Sequence, residues 1–229
     1  MTSENAKLRP SKIAISHRNP WLVMPALVIV IYSIYLAVQW PLAGEHLFGY
    51  VSFNHKRVDS HESVIPPKFV SKQFGYDGQF YYRFSLDPFS NEEKVQGLSV
   101  DRPAWRQQRI LLPVFTWLIA RGDAELSVIA MLAINLLSVA GLTLVGGALL
   151  KHHGLSPWPA LLLAFYPGLA ISVERFLCEP LSLLLLLLSV LSLVKQKFAW
   201  GGMFLALAVL GRETALAAAL AVAGIWFLQ

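Results

Sequence analysis

The stretch LSLLLLLLSVLSLV, Leu181 to Val194, has no polar face. A helix of a soluble bundle needs a polar stripe toward water, so this segment must be surrounded by lipid or by other helices. Comparable runs cover Trp21 to Trp40, Glu125 to Leu150, Trp158 to Val173 and Phe198 to Gln229, the last interrupted by GRET at 211–214. A run of about 20 apolar residues crosses the ~30 Å hydrocarbon core, and Trp21 to Trp40 meets that length. With 55% of residues apolar and only 14% charged, the chain reads as an all-α polytopic membrane protein.

The charge distribution agrees. Lys and Arg total 19 against 14 Asp and Glu, a net charge of +5, which taken alone would suggest nucleic acid. Lys7, Arg9, Lys12 and Arg18 instead precede the first apolar run, as expected of a cytoplasmic tail that touches anionic lipid. No nucleic-acid partner is expected. The first run exceeds the roughly 7–15 residues of a signal-peptide core and is followed by further runs, so it reads as a retained anchor. The lone cysteine, Cys178, excludes an intramolecular disulfide.

These features divide the chain into a cytoplasmic tail (1–20), a first transmembrane helix (21–40), an external segment (41–124) and a transmembrane bundle (125–229). The last ends inside the apolar run AGIWFLQ and reads as cut off. Within the external segment, RILLPVFTWLIA (109–120) rises only about 18 Å as a helix. It is therefore expected to be an amphipathic helix lying in the interface. If it does not span, Lys151–His153 and Lys195–Lys197 face the cytoplasm, while ERFLCEP and GRET face outward. Counting basic residues in the short loops does not separate this topology from its alternative, in which Arg121, Arg175 and Arg212 lie inside; segment length does.

That topology gathers Asp77, the Glu174–Arg175–Glu179 group and the Arg212–Glu213 pair at one membrane face. Charges beside membrane segments are costly and commonly serve a pathway, a pair or a site. Arg212 and Glu213 interrupt a long apolar run and, being adjacent in sequence, each need a partner elsewhere. A buried ion pair is one reading; for Arg212 the other is a phosphate, which guanidinium binds through a bidentate fork. Asp77 lies in FGYDGQFYYRF, between Gly75 and Gly78 and among aromatic rings. There it reads either as a general base brought close to a ligand by flexible glycines or as an incidental turn residue. Phe74, Tyr76, Phe80, Tyr81 and Tyr82 would stack on a sugar or anchor a loop at headgroup level. No nucleotide-binding, zinc-protease or serine-hydrolase motif is present. His152–His153 reads as a basic flank. No ligand cluster demands a metal, although a divalent cation is compatible with the acidic residues.

Taken together, GYDGQFYYR…LDP, DRPAWRQQRILLPVFTWLIARG, AFYPGLAISVERFLCEPLSLLLLLL and LAVLGRETAL resemble the GT-C superfamily of integral membrane glycosyltransferases, in particular bacterial proteins of cell-surface glycopolymer formation. The resemblance covers about Phe74 to Leu216. It implies a GT-C-like helix bundle in the bacterial plasma membrane, a catalytic acid in the first external loop at Asp77, and an interfacial helix at Arg109–Ala120. It also implies a polyprenyl-phosphate-linked sugar donor and a glycan acceptor outside the cytoplasm. Arg175 and Arg212 fall on charged positions expected to bind donor phosphate. Glu179, Glu213, Tyr76, Tyr81 and Arg109 would orient substrate. Two departures stand out: the superfamily typically has more spans, and Glu174 occupies a position that is usually basic or neutral. A lipid-linked-sugar flippase and a non-catalytic membrane subunit are the alternatives.

Overall fold

The computed structural model describes residues 19–59, 61–72 and 75–227. The basic tail and Phe74 lie outside the described residues. The protein is mostly helical. Helix α1, Pro20–Gln39, starts at Asn19, whose Oδ1 accepts the Trp21 N–H at 3.1 Å, with Pro20 in the first turn where its missing N–H costs nothing. Short α2 (Phe48–Val51), α3 (Gly78–Leu86) and α4 (Pro103–Arg106) follow, then α5 (Leu111–Ala120) and α6 (Ala124–His152). Asp123 caps α6 by accepting the Leu126 N–H at 2.8 Å. Glu125 in the first turn and Lys151 and His152 in the last complement the helix dipole. The remaining helices are α7 (Leu161–Ala164), α8 (Pro167–Glu174), α9 (Glu179–Val194), α10 (Phe198–Gly211) and α11 (Ala215–Phe227).

Among the described residues two helices, α1 and α6, are long and apolar enough to cross a membrane. At ~1.5 Å per residue they measure about 30 and 44 Å. The outer surface of α1 is apolar, with Leu22, Val30, Ile34 and Val38 exposed. α9 packs between α6 and α10. Ser182 and Ser189 donate to the Ala208 and Gly201 carbonyls of α10, each at 2.8 Å. A Cβ on Gly201 would lie 2.6 Å from Leu193, so small residues set this close helix contact.

The run Trp158–Val173 is not one helix. A 3-10 turn (Trp158–Ala160) and α7 end before Tyr166, which is extended at φ −64°, ψ 121°. Pro167 disfavours the helical conformation in the residue before it and supplies no N–H. The freed Ala164 carbonyl accepts the Tyr32 hydroxyl of α1 at 2.7 Å.

The long segment between α1 and α5 is a folded cap whose core is continuous with that of the helices. Strand β1 (Phe53–Asn54) pairs in parallel with β2 (Val70–Ser71), and β3 (Lys94–Val95) pairs antiparallel with β4 (Leu98–Ser99). Phe48, Phe53 and Tyr82 meet edge-to-face at 5.4–6.3 Å. FYYRF thus belongs to α3, whose Phe80, Tyr81, Tyr82 and Phe84 are buried. Phe80, Tyr81 and Tyr82 pack in the core instead of anchoring a loop at headgroup level or facing a sugar, and among the described rings of this motif only Tyr76 stands exposed. α5 also departs from expectation: Leu118 and Ile119 are exposed while Leu111 and Leu112 are buried, so the helix is apolar on both sides rather than amphipathic.

Candidate functional site

Asp77 owes its position to a backbone contact. A Cβ on Gly78 would lie 2.0 Å from the Arg175 carbonyl oxygen, and one on Gly75 would lie 2.4 Å from Gln79 Nε2. Neither glycine has positive φ. Their role is therefore close approach to protein, not the unusual dihedrals beside a ligand that the sequence suggested. The first turn of α3 rests directly on the α8–α9 junction and carries Asp77 to it.

There Asp77 meets two guanidiniums. Arg106 Nη1 donates to Oδ1 at 3.0 Å and Arg109 Nη1 to Oδ2 at 3.5 Å. Arg106 and Arg109 sit three residues apart across α4 and the 3-10 turn Gln107–Arg109, a geometry that nearly eclipses side chains at that spacing. Arg106 lies over the Phe80 ring at 4.0 Å and donates through Nε to Asp101, which also pairs with Arg57.

Arg109 is the hub. Its Nη1 donates to the Tyr81 hydroxyl at 3.1 Å, while Nε and Nη2 grip the two carboxylate oxygens of Glu213, the former at 2.7 Å. This bond holds Glu213 below the usual glutamate range and pushes Arg109 upward, with burial opposing both effects. Burial pushes the Tyr81 phenol up, so it remains a neutral hydrogen-bonding group. Glu213 comes from the break between α10 and α11, where Arg212 is extended at φ −156°. Arg212 Nη1 donates to Glu179 Oε1 in the first turn of α9. Among the described residues, Nε and Nη2 of Arg212 have no protein partner, and the buried Glu179 Oε2 has none either.

Tyr76, Asp77, Tyr81, Arg109, Glu179 and Arg212 line one open cleft of about 260 Å³. Six of the eight residues singled out in the sequence therefore share a cavity, and Glu213 joins them through Arg109. Arg175 does not line it. Its guanidinium pairs with Glu174 at 2.9 Å and lies 5.5 Å from the Tyr76 ring, so it acts on the cleft through Tyr76. Glu174 also accepts the Tyr35 hydroxyl at 2.5 Å, tying α8 to α1. The residue missed from sequence is Arg106; the WRQQR spacing, two arginines three apart after a proline, was its only signal. No group of three or more metal-ligating side chains forms among the described residues.

Chemically, the cleft presents a carboxylate 43% exposed, a guanidinium with unused donors and an exposed phenol ring, at one end of a set of apolar helices. Comparison with family models, with curated proteins and with solved structures gives no match.

Proposed function

We propose that this chain is a polytopic membrane glycosyltransferase that moves a sugar from a polyprenyl-phosphate-linked donor to a glycan acceptor outside the cytoplasm. The observation that carries the reading is the pairing, within one cleft, of the part-exposed Asp77 carboxylate and the Arg212 guanidinium with open donors. The surrounding apolar helices supply a path for an isoprenoid chain, and the resemblance of the four sequence segments to GT-C enzymes points the same way.

In this scheme the acceptor hydroxyl donates to Asp77 and attacks the anomeric carbon. The new glycosidic C–O bond forms as the bond to the donor phosphate oxygen breaks, with inversion. The hydroxyl proton passes to Asp77, and the electron pair leaves with the polyprenyl phosphate, whose growing charge Arg212 meets with a planar fork. Arg106 and Arg109 are positioning residues: each occupies one oxygen of Asp77, leaving a lone pair on each oxygen for the acceptor. Glu179 aims Arg212, Glu213 aims Arg109, and Arg175 steadies Tyr76 for stacking on the sugar. No step calls for a cofactor.

Asp77→Asn tests the reading, because Asn matches the shape yet takes no proton. In membranes supplied with a panel of polyprenyl-phosphate sugars, the variant is expected to accumulate like the parent, retain donor binding and lose transfer by about 10²-fold or more. Transfer within a few-fold of an active parent removes Asp77 from the chemistry.

A further inference from the structure

On another side of the cap, a second cavity of about 250 Å³ opens between the C-terminal end of α1 and the first turns of α6, lined by Trp40, Glu45, His46, Phe48, Glu125 and Ile129 among others. Among the described residues α1 and α6 are the helices long and apolar enough to cross a bilayer, and this cavity stands at headgroup level if they do. Leu42, Leu126 and Ile129 nearby are exposed and apolar, suited to acyl chains below a headgroup. We infer that this cavity binds the headgroup of a phospholipid bearing a primary ammonium, of the phosphatidylethanolamine type.

The charge pattern selects the ligand. Glu45 and Glu125 are both exposed and neither forms an ion pair among the described residues, and no lysine or arginine lines the cavity. Glu125 sits in the first turn of α6, where the helix dipole already favours it. Glu45 has no such reason. It adopts φ 55°, a left-handed backbone that costs a non-glycine residue free energy and that clusters at functional positions. Its N–H bonds to the Trp40 carbonyl at 3.1 Å, which holds it at the end of α1.

The cavity lining offers an ammonium two carboxylates and an indole, all groups that attract a cation. The three N–H donors of a primary ammonium can use both carboxylates, whereas a choline headgroup has none to offer. The phosphodiester has its own partner in His46. The His46 ring is stacked on Phe48 at 5.0 Å, and its Nδ1 accepts the Phe48 N–H at 3.3 Å, so Nε2 carries the proton and is the donor left for a phosphate oxygen.

The test is lipid retention by native mass spectrometry after exchange into micelles holding equal amounts of ethanolamine, choline and glycerol phospholipids. The parent is expected to keep the ethanolamine lipid about tenfold over either competitor, the factor one charge-assisted hydrogen bond supplies. The Glu45→Gln/Glu125→Gln double variant should fall to near-equal retention while its melting temperature stays within a few degrees of the parent's, Glu125 giving up only its helix-dipole interaction. The single variants Glu45→Gln and Glu125→Gln, both at exposed positions, should fall partway and keep the comparison decisive if the double variant folds poorly. Equal retention of choline lipid by the parent, or an undiminished ethanolamine preference in the variants, overturns the inference. Displacement of the lipid by millimolar free ethanolamine also overturns it, since the site would then take a small amine.

Discussion

Gly78→Ala places a methyl group where the structure has a carbonyl. The added Cβ would lie 2.0 Å from Arg175 O and 3.1 Å from its carbonyl carbon, with Phe176 Cβ at 3.6 Å. All but the last are inside contact distance, and the nearest obstacle is backbone, which cannot rotate aside. Relief needs a separation of more than 1 Å between the first turn of α3 and the α8–α9 junction, and overpacking of this kind typically costs about 1–3 kcal/mol. Against it stands the gain from replacing glycine in a helix, about 0.4–1 kcal/mol from the unfolded state. With the nearest obstacle a backbone oxygen at 2.0 Å, the cost belongs in the upper half of its range, about 2–3 kcal/mol, and the clash wins by roughly 1–2 kcal/mol. For a chain of this size that corresponds to a melting temperature lower by about 2–8 °C. Gly202→Ala is the matched control: nothing lies within 4 Å of its added methyl, it sits inside α10, and its φ is ordinary. It should hold or raise the melting temperature. Thermal unfolding of purified parent and both variants in one detergent decides the matter. A Gly78→Ala variant as stable as Gly202→Ala would show that α3 does not rest on the Arg175 carbonyl, and would remove the stated basis for the position of Asp77.

Arg212→Lys keeps the charge and loses the planar fork, so transfer from a polyprenyl-phosphate sugar should fall by at least tenfold with expression unchanged; equal turnover would restrict Arg212 to pairing with Glu179. Because Arg109 depresses the folded-state titration of Glu213, the stability from this pair is present above the unfolded value of 4.5 and is lost as pH falls through the lower folded value. Acid unfolding of Glu213→Gln should therefore lose less stability between about pH 4.5 and the acid midpoint than the parent does; parallel curves would contradict the pairing. In a Cys178→Ser background, single cysteines at His61 and Lys197, both exposed, should label from opposite sides of the membrane with an impermeant thiol reagent. Same-side labelling would exclude the topology in which 109–120 stays in the interface.

Four of the five apolar runs by themselves determined where helices form, because an apolar helix satisfies its backbone internally whatever its neighbours are; the fifth, Trp158–Val173, is broken at Tyr166 ahead of Pro167. The four gave α1, α6, α9 and α10 within a few residues, and the interruption at GRET gave the break before α11. The charged candidates were equally visible, since acids and arginines stand out against so apolar a background. What they bond to was not visible. Arg109 and Glu213 are 104 residues apart and Asp77 and Arg109 are 32 apart, and no local pattern encodes such contacts. The reading of FGYDGQFYYRF as an aromatic loop failed for the same reason: burial of Tyr82 among Phe48 and Phe53 depends on partners from other segments. Arg175 fell outside the cleft because Glu174 and Tyr76 claim it, and Arg106, supported by the Phe80 ring, reaches the site from outside the cleft through its bond to Asp77. Side-chain chemistry was fixed by composition, whereas partner choice among many charges of each sign was decided by backbone packing, above all where Gly78 admits the Arg175 carbonyl.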